Sequence, residues 1–180
     1  QNKYIICNTE TGLMIIDQHA AHERILYEKA ASILESHSSF SQQLLIPLKI
    51  KLSNLDYNIA INLKKELYDL GFNFKESGDD YIELFGVPSD VKIGDENKIL
   101  NELIEQYKEY EIKLKLDKRD NLAKSFACRS AIKSGDKLSN KEMLTLIDNL
   151  FNTNMPYVCP HGRPTLIRIT TEELDKRFSR

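Results

Sequence analysis

Apolar and polar residues recur along the chain with two different periods, which predict a mixture of strands and helices. Short apolar runs at Lys3–Asn8 and Gly12–Ile16 predict a β-hairpin. Apolar residues at helical spacing then continue to about Glu35, where the polar stretch Ser36–Ser39 ends the helix. A buried strand is therefore expected to lead directly into a long helix.

The rest of the chain predicts further strands and helices, without an internal repeat. Predicted strands are Leu44–Leu52, Phe72–Lys75, Tyr81–Val87 and Thr165–Ile169. Predicted helices run from Ser53 to Leu70, from Asp95 to Tyr110, from Arg119 to Ser134, from Ser139 to Phe151, and from Thr170 onwards. Capping boxes are predicted where Ser139 precedes Glu142 and where Thr170 precedes Glu173. This order of elements predicts an α/β fold of the α+β kind.

Residues that carry chemistry concentrate where the first helix begins. Asp17 ends the buried run and can cap the helix, and His19 and Glu23 follow at positions i and i+4. Residues with that spacing emerge on one helix face, so a nitrogen and an oxygen can reach one metal ion. Glu28 lies about 180° around the helix from His19, which favours a structural role such as pairing with a basic residue.

A second group of candidate ligands lies far downstream, in the segment Cys159–Pro164. Its two prolines and one glycine exclude a helix. In an extended segment, Cys159 and His161 would point to the same side and could converge on one ion. Cys128, in a predicted helix, is a further candidate. Carboxylate, imidazole and thiolate donors together favour zinc or a mixed site over magnesium alone.

Each candidate also has a purely structural interpretation. His19 could bond to a backbone group, Cys128 could be a buried small hydrophobe, and Arg163 could brace its loop through a carboxylate instead of binding a phosphate. Cys7 lies in an apolar run and is interpreted as a core residue. His22 could flank the site, but it is interpreted instead as a solvated histidine.

These motifs, taken in order, resemble those of the C-terminal endonuclease and dimerisation domain of MutL DNA mismatch-repair proteins. The pattern D-Q-H-A-x-x-E-x-x-x-x-E is matched from Asp17 to Glu28, and Ala127–Arg129 and Cys159–Pro164 follow. The resemblance spans nearly all 180 residues of the chain.

The resemblance implies a division of roles within the site. The residues expected to be catalytic are Asp17, His19 and Glu23. The expected metal ligands are Asp17, His19, Glu23, Cys128, Cys159 and His161. The motif residues expected to support the site without binding metal are Gln18, Glu28, Arg129 and Arg163. Zinc (Zn²⁺) is expected to be regulatory or structural, while Mn²⁺ or Mg²⁺ drives hydrolysis.

The candidate residues come from both ends of the chain, so the ends are expected to fold together around an inserted middle. The resemblance implies that residues 1–42 and 119–180 form a dimerisation subdomain that carries the site, and that residues 43–118 form an external regulatory subdomain. The resemblance implies a homodimer. It also implies two partners, the N-terminal ATPase domain of the same protein and a MutS-type mismatch sensor.

Gln42, Leu45 and Pro47 have the spacing Gln-x-x-Leu-x-Pro, which resembles the motif through which MutL C-terminal domains bind the replication sliding clamp. In an extended strand, Leu45 and Pro47 would insert on one side of a pocket. The alternative is an edge strand whose leucines face the local core. The net charge of −2 predicts weak binding of double-stranded DNA by the domain alone, so a clamp would help to hold it there.

The amino-acid composition limits the classes of protein to which the chain could belong. An apolar content of 41% and a charged content of 29% are typical of a soluble globular protein without a membrane span. Three cysteines favour a reducing compartment. The resemblance implies the bacterial cytoplasm, with nucleoid association during repair. The predicted function is metal-dependent DNA nicking. The alternative is a zinc-stabilised dimerisation module that tethers repair partners without cutting.

Overall fold

The structure is a computed structural model that describes residues 2–38, 41–92, 94–114 and 116–179. Its strands are β1 Tyr4–Thr9, β2 Gly12–Asp17, β3 Ser41–Lys51, β4 Asn73–Glu76, β5 Tyr81–Pro88 and β6 Leu166–Thr170. Its helices are α1 Gln18–Ser36, α2 Asn54–Asn62, α3 Lys64–Leu70, α4 Glu96–Leu114, α5 Lys118–Ser130, α6 Asn140–Phe151 and α7 Thr171–Arg177. Helices combined with antiparallel sheets confirm the predicted α+β fold.

The chain divides into two compact units. The first comprises residues 1–28 and 131–180, and the second comprises residues 29–130. The second unit is longer at both ends than the predicted insertion 43–118. It includes the C-terminal half of α1, where Lys29 forms an ion pair with Asp90 at 2.8 Å. Which unit dimerises and which regulates stays a prediction.

The first unit is built on a three-stranded antiparallel sheet with the order β1-β2-β6. Side chains alternate between its faces, so one face is apolar and buried. That face packs against α1 and α6, and its buried core consists of Ile5, Met14, Ile16, Ala21, Leu146 and Leu150. The opposite face leaves Tyr4, Ile6 and Ile167 exposed.

The second unit contains an antiparallel sheet with the order β3-β5-β4 and the helices α2 to α5. The central strand β5 buries Ile82 and Leu84 completely, while Tyr81, Glu83 and Phe85, which alternate with them, are half-buried. Phe72 and Phe126 meet edge to face with ring centroids 6.3 Å apart. In the described ranges, no helix is both long and apolar enough to cross a membrane.

Both predicted capping boxes, at Ser139 and Thr170, are confirmed. The predicted single helix from Ser53 to Leu70 is wrong, because α2 and α3 are separated at Leu63, whose φ of −96° and ψ of 6° are not helical. Leu63 is almost fully buried, so tertiary packing stabilises the break between the two helices, although no glycine or proline occurs there. The helix α5 also ends at Ser130, four residues earlier than predicted.

Gly12 is a position where only glycine fits. Its φ is +144°, and an added Cβ would lie 2.2 Å from the carbonyl oxygen of Ile169 in β6. Gly12→Ala is therefore expected to lower the free energy of unfolding by more than about 2 kcal/mol, since it combines backbone strain with a backbone clash. Equilibrium denaturation followed by circular dichroism measures this change.

Gly135→Ala is the matched control in the same unit. Gly135 also has a positive φ, +105°, but no described atom lies within 4 Å of an added Cβ. Its substitution should cost only the backbone strain, about 1–2 kcal/mol. Equal losses for the two variants would show that the close approach of β6 to Gly12 has no energetic consequence.

Candidate functional site

The site begins where β2 turns directly into α1. Oδ1 of Asp17 accepts hydrogen bonds from the backbone N–H groups of His19 and Ala20, each at 3.0 Å. Asp17 therefore caps the first turn of the helix, as its position predicts. Its own backbone N–H donates to the carbonyl oxygen of Thr165 at 2.9 Å, which fixes the start of α1 against the chain that follows the Cys159–Pro164 segment.

Glu23, one turn further along α1, has a completely buried side chain. Its Oε2 accepts a hydrogen bond from Nη2 of Arg163 at 3.2 Å. Its Oε1 lies 3.1 Å from Nδ1 of His161, but that contact lacks hydrogen-bond geometry and no described group donates a hydrogen bond to Oε1. Glu23 therefore keeps a buried oxygen with unused capacity to coordinate.

The Glu23 carboxylate is charged at neutral pH. Burial by itself would raise the pKa of Glu23, but the contacts with His161 and the electrostatic effects of the nearby His19 and Arg163 side chains outweigh burial, so the pKa lies below its ordinary value of 4.5. The Arg163 guanidinium responds in the opposite direction. The pKa of Arg163 is raised, mainly by its hydrogen bond with the side chain of Cys159 and also by the charge of Glu23. Partial burial lowers this pKa but does not outweigh the two contacts.

The Cys159–Pro164 segment is a tight turn, and the extended conformation predicted for it is wrong. The N–H of Gly162 donates to the carbonyl oxygen of Cys159 at 2.9 Å, and the N–H of Cys159 donates to the carbonyl oxygen of Arg163 at 2.8 Å. Pro160 occupies the second position of the turn, where its ring fixes a suitable φ. Gly162 ends the turn with a φ of +81°, which glycine adopts readily. The turn brings Cys159 and His161 to the same side.

Glu23, Cys159 and His161 form one cluster. One donor atom from each lies within 4.8 Å of the other two. A carboxylate oxygen, a sulfur and an imidazole nitrogen are ligands that zinc accepts together. The donor set and the unsatisfied Oε1 of Glu23 therefore fit a zinc ion.

His19 is held by the backbone and still presents a nitrogen. Its Nδ1 lies 2.8 Å from the carbonyl oxygen of Ile132. A carbonyl can only accept, so Nδ1 carries the proton and Nε2 of the neutral ring keeps its lone pair. Metal-binding histidines are commonly oriented in this way. The backbone interpretation and the ligand interpretation of His19 are therefore compatible.

His22 has a defined structural contact, so its interpretation as a solvated histidine is wrong. Its Nδ1 accepts a hydrogen bond from the backbone N–H of Ile132 at 2.9 Å. His19 and His22 thus hold the C=O and the N–H of the same residue. Sequence spacing could not reveal this, because Ile132 is more than a hundred residues away along the chain.

Arg24 is a site residue that the sequence did not single out. It is buried, its Nε donates to the carbonyl oxygen of Val158 at 2.6 Å, and its Nη1 lies 3.5 Å from Oε1 of Glu28. Glu28 in turn accepts from the backbone N–H groups of Asn154 at 2.7 Å and Met155 at 3.1 Å. The pair therefore anchors the chain just before Cys159, and its i,i+4 spacing was the available signal.

The other predicted supporting residues contact backbone or neighbouring helices. Nε2 of Gln18 donates to the carbonyl oxygens of Asn2 at 2.7 Å and Asp136 at 2.9 Å. Within the second unit, Arg129 on α5 donates to Oε1 of Gln106 on α4 at 2.5 Å. Cys128 is half-buried on the same helix.

Among the described residues, the three-member cluster contains neither Asp17 nor His19 nor Cys128. The roles of these three residues as metal ligands stay predictions.

The predicted clamp-binding residues lie in β3 of the second unit. Pairing of β3 with β5 shifts register between Gln43 and Leu48, so the intervening residues bulge from the sheet. Gln42 and Pro47 are exposed, and Leu45 is fully exposed. The alternative in which Leu45 faces the local core is therefore wrong.

Comparison with known proteins identifies a family to which the chain is similar. The profile of the family described as "MutL C terminal dimerisation domain" matches residues 1–138. Similar proteins, each named DNA mismatch repair protein MutL, come from Chlorobaculum tepidum with 55% identity, Pelodictyon phaeoclathratiforme with 53% and Chlorobium chlorochromatii with 51%. Each alignment covers 179 residues, 99% of this chain.

The chain spans less than a third of the length of these relatives, 28–29% of each. The family profile, by contrast, covers most of the chain, including the motif from Asp17 to Glu28 and the Ala127–Arg129 segment. The chain therefore belongs to the family of MutL C-terminal dimerisation domains.

Proposed function

We propose that this chain is the metal-dependent DNA-nicking and homodimerisation region of a MutL-type mismatch-repair protein. The observation that carries the proposal is the buried, charged carboxylate of Glu23, which lies in one cluster with Cys159 and His161. A charged carboxylate beside a thiol and an imidazole, within the motif shared with this family, is the arrangement that a metal-dependent hydrolase needs.

The residues would divide the work of phosphodiester hydrolysis between them. A divalent ion held here supplies positive charge that polarises the scissile phosphodiester and activates water. If two ions bind, Glu23 would be the ligand that they share, and His19 would offer Nε2. Asp17 adds a second carboxylate. Zinc suits Cys159 and His161 in a regulatory or structural role, while Mn²⁺ or Mg²⁺ drives hydrolysis.

Arg163 supports the same chemistry from the rim of the site. Its side chain is 59% exposed although it pairs with Glu23. A guanidinium stays charged at all physiological pH values and presents several N–H donors. Arg163 can therefore bond to a phosphate oxygen of DNA on its exposed side while it braces the turn through Glu23.

Homodimerisation is proposed to use the outer face of the first unit's sheet. Ile6 of β1, Ile15 of β2 and Ile167 of β6 are paired across the three strands, and Tyr4 is exposed beside them. A contiguous aliphatic surface of this kind is typical of protein interfaces. The family's description as a dimerisation domain agrees with this use.

Sliding-clamp binding is proposed for the bulge of β3. Because the register shift releases Leu45 and Pro47 from the sheet, both side chains can enter a pocket on a partner. A clamp that encircles DNA would hold this weakly binding domain on double-stranded DNA. The N-terminal ATPase domain and a MutS-type sensor complete the proposed set of partners.

The alternative function is a zinc-stabilised dimerisation module that does not cut. It is favoured by the cluster itself, since a carboxylate, a thiol and an imidazole also make a purely structural zinc site. A nicking assay on supercoiled plasmid with Mn²⁺, with and without the clamp, separates the two functions. Nicking that depends on Mn²⁺ supports the enzyme, and its absence under both conditions supports the module.

The first prediction about function concerns zinc. Cys159→Ser combined with His161→Ala should release most of the zinc from the purified chain, because thiolate and imidazole are the donors that favour zinc over magnesium. Elemental analysis of the dialysed protein measures the zinc content. Cys7→Ser, which removes a thiol outside the cluster, is the control and should retain zinc. Unchanged zinc in the double variant would exclude Cys159 and His161 as principal ligands.

The second prediction concerns catalysis. Asp17→Asn and Glu23→Gln should each reduce Mn²⁺-dependent plasmid nicking to near background, because each removes a negative charge that a divalent ion requires. An asparagine side chain keeps an oxygen that can cap α1, so the Asp17 variant should remain a folded dimer by circular dichroism and gel filtration.

Glu28→Gln is the matched control on the same helix. It should retain more nicking activity than Glu23→Gln and should instead lower stability by roughly 1 kcal/mol, because it weakens bonds to two backbone N–H groups. Full nicking activity of the Asp17 variant, or greater damage from the Glu28 change than from the Glu23 change, would contradict these assignments.

The third prediction concerns the clamp. Replacing Gln42, Leu45 and Pro47 together with alanine should weaken clamp binding at least about tenfold, since short motifs bind through a few anchoring side chains. Fluorescence anisotropy of the labelled chain measures the affinity, and basal nicking should survive. Leu55→Ala, which truncates an exposed leucine elsewhere in the same unit, is the control. If the clamp stimulates nicking by the triple variant as strongly as nicking by the parent, the clamp docks elsewhere on the chain.

A further inference from the structure

The outer face of the second unit's sheet carries lysines and aromatic rings in register. On the central strand β5, Tyr81, Glu83 and Phe85 alternate with buried apolar residues. Lys51 on β3 pairs with Tyr81, while Lys49 on β3 and Lys75 on β4 both pair with Glu83. All three lysines are exposed. The lysine face is defined here as Lys49, Lys51, Lys75, Tyr81, Glu83 and Phe85.

Aromatic rings support the ammonium groups on this face. Nζ of Lys49 lies 4.8 Å from the ring centroid of Tyr81, and Nζ of Lys51 lies 5.8 Å from the same centroid. Nζ of Lys75 lies 5.0 Å from the ring centroid of Phe85. Such contacts orient a cation without neutralising its charge. The lysine face therefore presents three ordered positive charges.

Other lysines of the same unit are used differently. Lys29, Lys64 and Lys113 each form an ion pair with a carboxylate, at 2.8, 2.8 and 2.5 Å respectively. In the ranges that the structure describes, no carboxylate forms an ion pair with a lysine of the lysine face. Three such lysines, side by side in a protein of net charge −2, favour an anionic partner.

We propose that the lysine face binds the phosphate backbone of duplex DNA. Its three lysines lie on the two strands that flank β5, so the backbones of Lys49 and Lys75 are about 10 Å apart across the sheet, given the ordinary spacing of β-strands. Duplex DNA carries one negative charge for about every 1.7 Å of its axis, so several phosphates can meet such a face at once. Contacts of lysines with phosphates do not depend on base sequence, so the lysine face would bind duplex DNA of any sequence.

Acidic groups limit the strength of this surface. Glu83 lies between Lys49 and Lys75 across the sheet. Asp79 and Asp80 lie in the turn that precedes Tyr81. The face therefore combines three positive charges with one negative charge, and two aspartates lie at one end. Weak, strongly salt-dependent binding is expected, in agreement with the acidic balance of the whole chain.

The position of the lysine face along the chain links it to the clamp motif. Lys49 and Lys51 lie on the same strand as Leu45 and Pro47, only a few residues further on. A clamp bound at the β3 bulge would therefore bring DNA close to the lysines. This step alone rests on the proposed function; binding of DNA by the lysine face does not require the clamp.

The test measures binding of a labelled duplex of about 30 base pairs and arbitrary sequence to the chain by fluorescence anisotropy, with EDTA and without clamp. Replacing Lys49, Lys51 and Lys75 with glutamine should lower the association constant about tenfold at low salt. The negative slope of its logarithm against the logarithm of salt concentration should become shallower by about 2.7, or about 0.9 for each lost phosphate contact. Because EDTA prevents metal-dependent cutting, failure of the proposed nicking function would not affect this outcome.

The control variant replaces Lys29, Lys64 and Lys113 with glutamine, which changes the net charge equally but removes ion-paired lysines. Its salt slope should stay near that of the parent. Glu83→Gln provides an independent arm and should raise the affinity several-fold, because it removes the central negative charge. Equal losses in the two triple variants, an unchanged affinity for Glu83→Gln, or no measurable binding by the parent chain at low salt would each overturn the proposal.

Discussion

The buried carboxylate of Glu23 is the constraint on which the first unit depends. An ionised group removed from water costs several kcal/mol unless charged partners compensate for it. The compensating groups, Arg163 and His161, come from a turn about 140 residues further along the chain. The charged state of Glu23 therefore requires the Cys159–Pro164 turn to dock on α1, and the two ends of the chain must fold together.

Several side chains of α1 also bond to backbone groups of other segments and so hold both ends of the chain on this helix. Gln18 bonds to the carbonyls of Asn2 and Asp136, the two histidines of α1 bond to Ile132, and Glu28 bonds to the amides before the turn. Each contact ties a segment distant in sequence to one rigid element. Donor groups fixed in this way need little reorganisation to bind an ion, which is what a preorganised site requires.

The sequence could predict what local chemistry determines. The cap at Asp17, the two capping boxes and the β1–β2 hairpin follow from residue types at short spacing, and all are present. The break at Leu63 and the early end of α5 could not be predicted, because packing holds them and no glycine or proline marks them.

Long-range contacts limited the prediction of the site in a similar way. The resemblance named the residues of the cluster, but Arg24 and the contacts of His22 depend on backbone groups more than a hundred residues away. The Cys159–Pro164 segment shows a subtler limit. Its prolines and glycine correctly excluded a helix, yet the same residue types also favour a tight turn, and the turn was the conformation adopted.

The two oxygens of Glu23 have different surroundings, and this difference bears on how the site can work. Oε2 bonds to the half-exposed Arg163, whereas Oε1 is buried beside His161 without a hydrogen bond from any described group. If the proposed cation bound through Oε1, it would not need to displace Arg163, and the guanidinium could remain between the carboxylate and a phosphate at the rim. Arg163 and an ion then act on the same carboxylate from opposite oxygens, and each reduces the negative charge available to the other. In the proposed function, the affinity of the site for metal would therefore be coupled to a phosphate that draws Arg163 towards itself, because a weaker Arg163 contact would leave more charge on Glu23 for the ion.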